Sequence, residues 1–227
     1  MAITYHDNVE QGSSEWLALR CGVLTASEIK LILTPSFKSA ANDKSRAHVM
    51  EITSQRISNY VEPSYFSDDM MRGVESEIYA REHYEREYGT VQQVGFVTND
   101  DLGFTVGYSP DGLISEDGLW ECKGPRQKRH IETILTGEVP ADNMIQLQTG
   151  LWATKRKWID FTSYHGGLPM VTLRVFPDDR IQSAIVDAAM QFEESVQANL
   201  KAWDGRLASD MRLIMTEREI EQEVYLG

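Results

Sequence analysis

The chain has 227 residues, 41% of them hydrophobic, enough for one compact domain whose core needs neither disulfides nor a structural metal. Its 22 Lys and Arg against 35 Asp and Glu leave a net charge of −13, which lowers the expectation of nucleic-acid binding without removing it, because net charge says nothing about distribution. Two cysteines, Cys21 and Cys122, and five histidines without finger spacing exclude a four-thiolate cluster and a zinc finger.

Taken in chain order, Ser13 or Ser14 can cap a short helix carrying Trp16, Leu17 and Leu19, stopped near Gly22. Thr25-Ala-Ser-Glu28 reads as a capping box, with Ile29, Ile32 and Leu33 following at helical spacing and Pro35 as the stop. Two further helices are predicted near 45–60 and over 67–88, the second packing through Met70, Met71, Val74, Ile78 and Tyr84. The period then changes. Val91–Thr98, Phe104–Tyr108 and Leu119–Lys123 are β-branched or aromatic runs, set apart by Asn99–Gly103 and Pro110-Asp-Gly112, and read as adjacent antiparallel strands. Helices follow over about 126–136, ended by Gly137, and over 141–155, opened by Pro140. Trp158–Tyr164 and Met170–Phe176 return to strand. A long amphipathic helix starts after Asp178-Asp179, with Ile181, Ile185, Ala188, Phe192, Val196, Leu200 and Trp203 on one stripe. This order predicts an α/β fold with a mixed sheet flanked by helices. One domain over 1–227 is expected: a helical part to about 89, a mixed-sheet core over about 90–177, and a helical end over about 178–227. No run is apolar enough to span a bilayer and the start lacks a secretory leader's apolar segment, so a cytoplasmic location and no membrane partner are expected. The acidic excess gathers partly at Glu217, Glu219, Glu221 and Glu223, away from the stretch that carries chemistry.

That stretch is Ser109-Pro-Asp-Gly112 followed by Glu121-Cys-Lys123. Alternate strand residues share a face, so Glu121 and Lys123 point one way and Cys122 the other. Asp111 stands where a strand ends in a turn and can come beside Glu121. Two convergent carboxylates make a hard-oxygen site for Mg²⁺ or Mn²⁺, to which the Cys122 carbonyl can add an oxygen. Lys123 can then orient or activate water, or neutralise charge developing on a phosphate. The same residues also suit an ordinary turn and a solvated ion pair on a strand edge.

Five segments in register reach further: Leu19–Ser27, Gly73–Glu77, Ser109–Gly112, Glu121–Lys123 and Gln146–Gln148. Together they resemble the bacteriophage lambda exonuclease, or YqaJ-type viral recombinase, family over about residues 14–165. The resemblance implies a restriction-endonuclease-like PD-(D/E)xK fold and Mg²⁺-dependent 5′→3′ digestion of double-stranded DNA. It also implies a ring-shaped homotrimer threaded by the DNA, and a single-strand annealing protein as recombination partner. Position by position it makes Asp111 and Glu121 metal ligands, with the Cys122 backbone carbonyl, and Lys123 the catalytic lysine. Glu77 matches a carboxylate for a second metal, and Gln146 a glutamine close to metal and water. Arg20, Ser27 and Ser109 match a 5′-phosphate pocket, in keeping with the bidentate reach of arginine and the anion affinity of a helix start. Met70 falls where an apolar residue wedges the terminal base pair. The cluster Arg126, Lys128, Arg129 and His130 follows the catalytic strand and could contact phosphates, or could be an exposed helix face.

Two other readings stay open on sequence. One is a structure-specific or restriction-type endonuclease of the same fold. The other is a DNA-end-binding recombination module without catalysis. An iron–sulfur nuclease is disfavoured, because four cysteines are lacking.

Overall fold

The computed structural model describes residues 3–62 and 68–218, apart from the side chains of 68–70. Two four-stranded sheets, each mixed, carry helices on their faces. The first has β1 (Ile3–His6), β3 (Phe96–Asn99), β4 (Val106–Tyr108) and β2 (Leu24–Thr25) in the order β1-β3-β4-β2, with β2 parallel to β4. The second runs β5 (Gly112–Ile114), β6 (Gly118–Lys123), β7 (Trp158–Ser163), β8 (Val171–Val175), with β6 parallel to β7. A parallel pair needs a long crossover. Here it is made by α5 (Gln127–Thr136), closed by Gly137 at φ 64°, and α6 (Ala141–Thr154), opened by Pro140. One core joins the sheets: Leu147 and Leu151 of α6 pack with Val97, Val106 and Tyr108 of the first and with Leu119, Ile159 and Phe161 of the second.

The α/β expectation is therefore borne out, while several local expectations are not. Leu119–Lys123 is not a neighbour of Phe104–Tyr108. After Asp111 the chain enters the extra strand β5, which forms the hairpin with β6 through a turn in which Ser115 takes φ 48°. The run from Val91 becomes strand only at Phe96, because the Val91 amide is spent on the Glu85 carboxylate (2.8 Å) and Gln92 makes a single bridge to Leu113. Thr25 is a strand residue paired with Gly107, so it does not cap a helix. Its amide and hydroxyl both donate to Glu28 Oε2 (3.0 and 2.7 Å), and α2 (Ile29–Ile32) starts beyond a turn containing Ser27.

Helix α4 (Asp68–Glu87) turns a different face to the protein than its apolar residues suggest. Met71, Val74 and Ile78 are more than half exposed, whereas Ala80 and Tyr84 are buried against Trp120 and Cys122. The Tyr84 hydroxyl donates to Asp160 Oδ2 (2.6 Å), which Arg174 also grips, so the inward face is fixed by a buried polar bond as well as by packing. Glu77 and Arg81, at helical spacing from Ala80 and Tyr84, share that inward-turned side. The long helix α7 (Asp179–Leu207) is capped by Asp178 and buries its stripe from Ile181 to Val196, while Trp203 lies 43% exposed. It is clamped to α3 (Asp43–Ser58) by the fork of Arg56 on both Glu193 oxygens (2.6 and 2.8 Å). Among the described residues no helix is long and apolar enough to cross a membrane.

Candidate active site

Between β4 and β5 the chain passes through Ser109, Pro110 and Asp111. Proline fixes the local backbone, and the Pro110 carbonyl accepts from Gln11 Nε2 at 2.9 Å. Gly112 must be small: a Cβ there would lie 2.0 Å from Val91 Cγ1. The β5 pairing of β6 ends at Trp120, so the next β6 amide on that side, that of Cys122, has no strand partner. The Asp111 carboxylate supplies one, accepting from Cys122 N at 2.7 Å. A strand residue's N–H and C=O point to the same side, so the Cys122 carbonyl also faces Asp111.

Glu121 is 1% exposed and is held from three elements. Tyr108 on β4 donates its hydroxyl to Oε2 at 2.8 Å, while Lys123 Nζ (2.5 Å) and Gln146 Nε2 of α6 (2.7 Å) both donate to Oε1. Glu121 and Lys123 thus share a face as the alternation predicts. Gln148, two residues on from Gln146, faces the opposite way and is structural. It donates to the Phe176 carbonyl (2.8 Å) and accepts from the Asp178 amide (2.9 Å). Glu77 ion-pairs with Arg81, and it lies near enough to Glu121 and Lys123 to feel their charges.

The electrostatics are those of crowded carboxylates. Desolvation, then the neighbouring Glu121, pushes the Asp111 carboxyl well above the usual range, against the pull of Lys123. Burial raises Glu77 as well, with Arg81 opposing. Burial alone would lower the Lys123 amine, but Glu121 and Asp111 outweigh it and hold it above its ordinary value. Burial and the same two carboxylates raise Tyr108, keeping its phenol a neutral donor, and burial followed by Asp111 keeps the Cys122 thiol protonated and unreactive.

Among the described residues no three His, Cys, Asp or Glu side chains close into a ready-made metal cluster. Two carboxylates and a carbonyl do converge, however, and Asp111 is raised first by burial and then by the second carboxylate beside it. Asp111, Glu121 and the Cys122 carbonyl could hold a hard divalent cation, and the donor set fits one.

A second cluster adjoins the first through the two-residue step from Ser109 to Asp111. Arg20 of α1 (Ser14–Arg20) donates to Ser109 Oγ (3.4 Å) and Thr25 Oγ1 (3.3 Å), and the Thr25 and Ser27 hydroxyls are 3.2 Å apart. Trp16 Nε1 also donates to Ser109 Oγ (3.0 Å), and the guanidinium lies over its ring, 4.3 Å from the centroid. The three residues predicted for a phosphate pocket are therefore brought together. Burial lowers the Arg20 pKa, partly offset by Glu28.

The predicted basic cluster divides. Arg126, Lys128 and Arg129 are exposed, and Arg129 pairs with Asp142 (2.6 Å). His130 is fully buried, bonded to Ser163 Oγ (2.8 Å) and the Pro169 carbonyl (3.0 Å), so it offers nothing to a phosphate. The Met70 side chain lies outside the described residues. Sequence reasoning missed Tyr108, Trp16, Glu28 and Arg81 as partners of the site. The one signal available was Arg81's spacing of four from Glu77, an ordinary helical ion pair.

The profile of the YqaJ-like viral recombinase domain matches residues 15–157. Among solved structures, an alkaline exonuclease from Laribacter hongkongensis is 31% identical, with a TM-score of 0.77 covering 86% of this chain and 98% of that one. The same exonuclease in complex with dAMP aligns at 33% identity with the same TM-score and coverage. A phage-related exonuclease from Haemophilus somnus, 12% identical with a TM-score of 0.55, covers 82% of this chain and 95% of its own, and shares the fold. No curated protein matches.

Proposed function

The chain belongs to the YqaJ-like viral recombinase family, and from that premise we propose that it is a Mg²⁺-dependent exonuclease digesting linear double-stranded DNA 5′→3′ from 5′-phosphorylated ends. It would act in the cytoplasm as a single nuclease domain over 1–227 and leave single strands for recombination by annealing. The observation that carries the reading is the adjacency of the two clusters: Ser109 belongs to the Arg20 pocket, and Asp111 to the carboxylate pair.

In this reading Arg20, Ser27 and Ser109 bind the terminal 5′-phosphate, the arginine by its fork and the hydroxyls as donors. Asp111, Glu121 and the Cys122 carbonyl hold Mg²⁺, for which Mn²⁺ can substitute, and Glu77 serves a second ion. When bound, the metal polarises the phosphoryl oxygen and lowers the pKa of water. Lys123, which Glu121 and Asp111 hold in its charged form in the metal-free protein, is placed to neutralise charge developing on the phosphate. Gln146 orients the Glu121 carboxylate and the attacking water. Water attacks phosphorus and the bond to the 3′-oxygen breaks, so each cut leaves a new 5′-phosphate for the same pocket. That the Laribacter exonuclease binds dAMP, a nucleoside monophosphate, supports a site that accepts such a product. Arg126, Lys128 and Arg129 are suited to the DNA backbone, and Met70 to the terminal pair. Family membership also supports a homotrimer ring and a single-strand annealing protein as partner.

The test compares linear duplexes ending in 5′-phosphate or 5′-hydroxyl, and a closed circle, each with and without Mg²⁺. Nucleotide release should need Mg²⁺, run faster from phosphorylated ends and spare the circle. Cleavage of the circle would replace the exonuclease by an endonuclease, and no release from any substrate would leave only a binder.

A further inference from the structure

Three carboxylates of the site, Asp111, Glu121 and Glu77, influence one another, yet they do not share the same partners. Glu121 is bonded by Tyr108, Lys123 and Gln146, and Asp111 by the Cys122 amide. Glu77 is different. Its carboxylate is taken by Arg81, one turn further along α4. That arginine is no surface cation: its side chain is 18% exposed, against 30% for Glu77. The guanidinium stands 5.8 Å from the Trp120 ring centroid, and Trp120 is itself fully buried beside Glu121 on β6. In the amide orientation that satisfies both groups, the Gln93 side-chain oxygen accepts from Arg81 Nη2 at 3.2 Å. Arg81 is thus seated by an aromatic face and an amide, and aimed at Glu77.

The charge count gives this contact a consequence. Asp111, Glu121 and Glu77 against Lys123 and Arg81 leave one net negative charge. One divalent ion already makes the cluster positive, and a second must displace a charge-assisted hydrogen bond from Glu77 before it gains a ligand. An incoming phosphate adds negative charge to the cluster and so lowers the electrostatic cost of the second ion. We propose that Arg81 is a positioning residue that occupies Glu77 in the DNA-free protein, so that the chain alone binds one divalent cation tightly and admits a second only weakly until a nucleic-acid phosphate arrives. The inference rests on the metal-site reading above and adds to it an order of loading set by one side chain.

The experiment titrates Mn²⁺ into the full chain without DNA, following heat and the free-ion electron paramagnetic signal. In the wild type one ion should bind tightly and a second at least about tenfold more weakly, the factor expected when a hydrogen bond between charged groups must first be broken. Arg81→Gln should tighten the second step by about tenfold or more and move the first by less. Arg81→Lys, which keeps the charge but loses the fork, should tighten the second step to a smaller extent. Glu77→Gln should remove the second step in either background. Two steps of equal affinity in the wild type overturn the inference by themselves, whatever the variants do. A second step that Arg81→Gln leaves unchanged, with an unaltered circular dichroism spectrum, overturns it while the metal site at Asp111 and Glu121 stands. Absence of any Mn²⁺ binding overturns the inference and the metal site together.

Discussion

Tyr108→Phe isolates the contact that holds Glu121 from the other sheet. The hydroxyl donates to Glu121 Oε2 at 2.8 Å, and both side chains are 1% exposed. Lys123 and Gln146 serve Oε1, so the substitution takes from Oε2 the donor it has and leaves a vacancy of one oxygen atom, too small for a replacement water. A hydrogen bond to a charged group contributes about 1.5–3 kcal/mol. At about 2–4 °C per kcal/mol for a domain of this size, the metal-free variant should melt about 3–12 °C lower. A divalent cation at Glu121 would neutralise the carboxylate and make the lost donor matter less. Thermal melts followed by circular dichroism, in EDTA and in saturating Mg²⁺, should therefore show a clearly smaller deficit with Mg²⁺. An unchanged melting temperature in EDTA would refute the bond's energetic role. An equal deficit in both media would refute the placement of the cation at Glu121.

The catalytic assignments predict that Asp111→Ala, Glu121→Ala and Lys123→Ala each nearly abolish nucleotide release while native circular dichroism persists, and full activity in any one removes that residue from its role. Asp111→Asn should also stabilise the metal-free protein. The folded carboxyl titrates above its ordinary value of 3.8, so the stability it contributes is complete below that pH and is lost as pH rises through the folded pKa. The difference in melting temperature between variant and wild type in EDTA should accordingly widen from about pH 4 upward, and a pH-independent difference would contradict the electrostatics described. Arg20→Lys, which keeps charge but not the fork, should erase most of the preference for 5′-phosphate over 5′-hydroxyl ends, read as the ratio of initial rates. The two glutamines of α6 should separate by activity: Gln148→Ala should cost about 1–3 kcal/mol in urea unfolding and spare nucleotide release, whereas Gln146→Ala, whose bond to Glu121 Oε1 is backed by Lys123, should lower nucleotide release.

Much of this site could be read before any coordinates. The Ser13 cap, the Gly137 stop and the Pro140 start are local signals and fall where expected, as does the shared face of Glu121 and Lys123. The grouping of Arg20, Ser27 and Ser109 was legible only through the family resemblance, since Ser109 is 89 residues from Arg20 and no period links them. The face of α4 was legible only in part: Tyr84 packs inward as expected, but Met71, Val74 and Ile78 turn outward. A polar bond from Tyr84 to Asp160, 76 residues away, decides its rotation. Thr25 was misread for a related reason: its pattern suits a cap, but pairing with Gly107 claims its backbone for a sheet.

Alone, the sequence determined what neighbours within a few residues decide: where helices start and stop, which strand residues share a face, and which residue types can bind a hard cation. The tertiary structure decided the rest, namely that two sheets form, that β6 lies parallel to β7, and that Tyr108 and Gln146, 13 and 25 residues from Glu121, both donate to it. The division follows from the forces. Backbone sterics and hydrogen-bond periodicity act along the chain and leave their mark on adjacent residues, whereas the burial that packs one element on another is non-directional and depends on the whole set of surfaces at once.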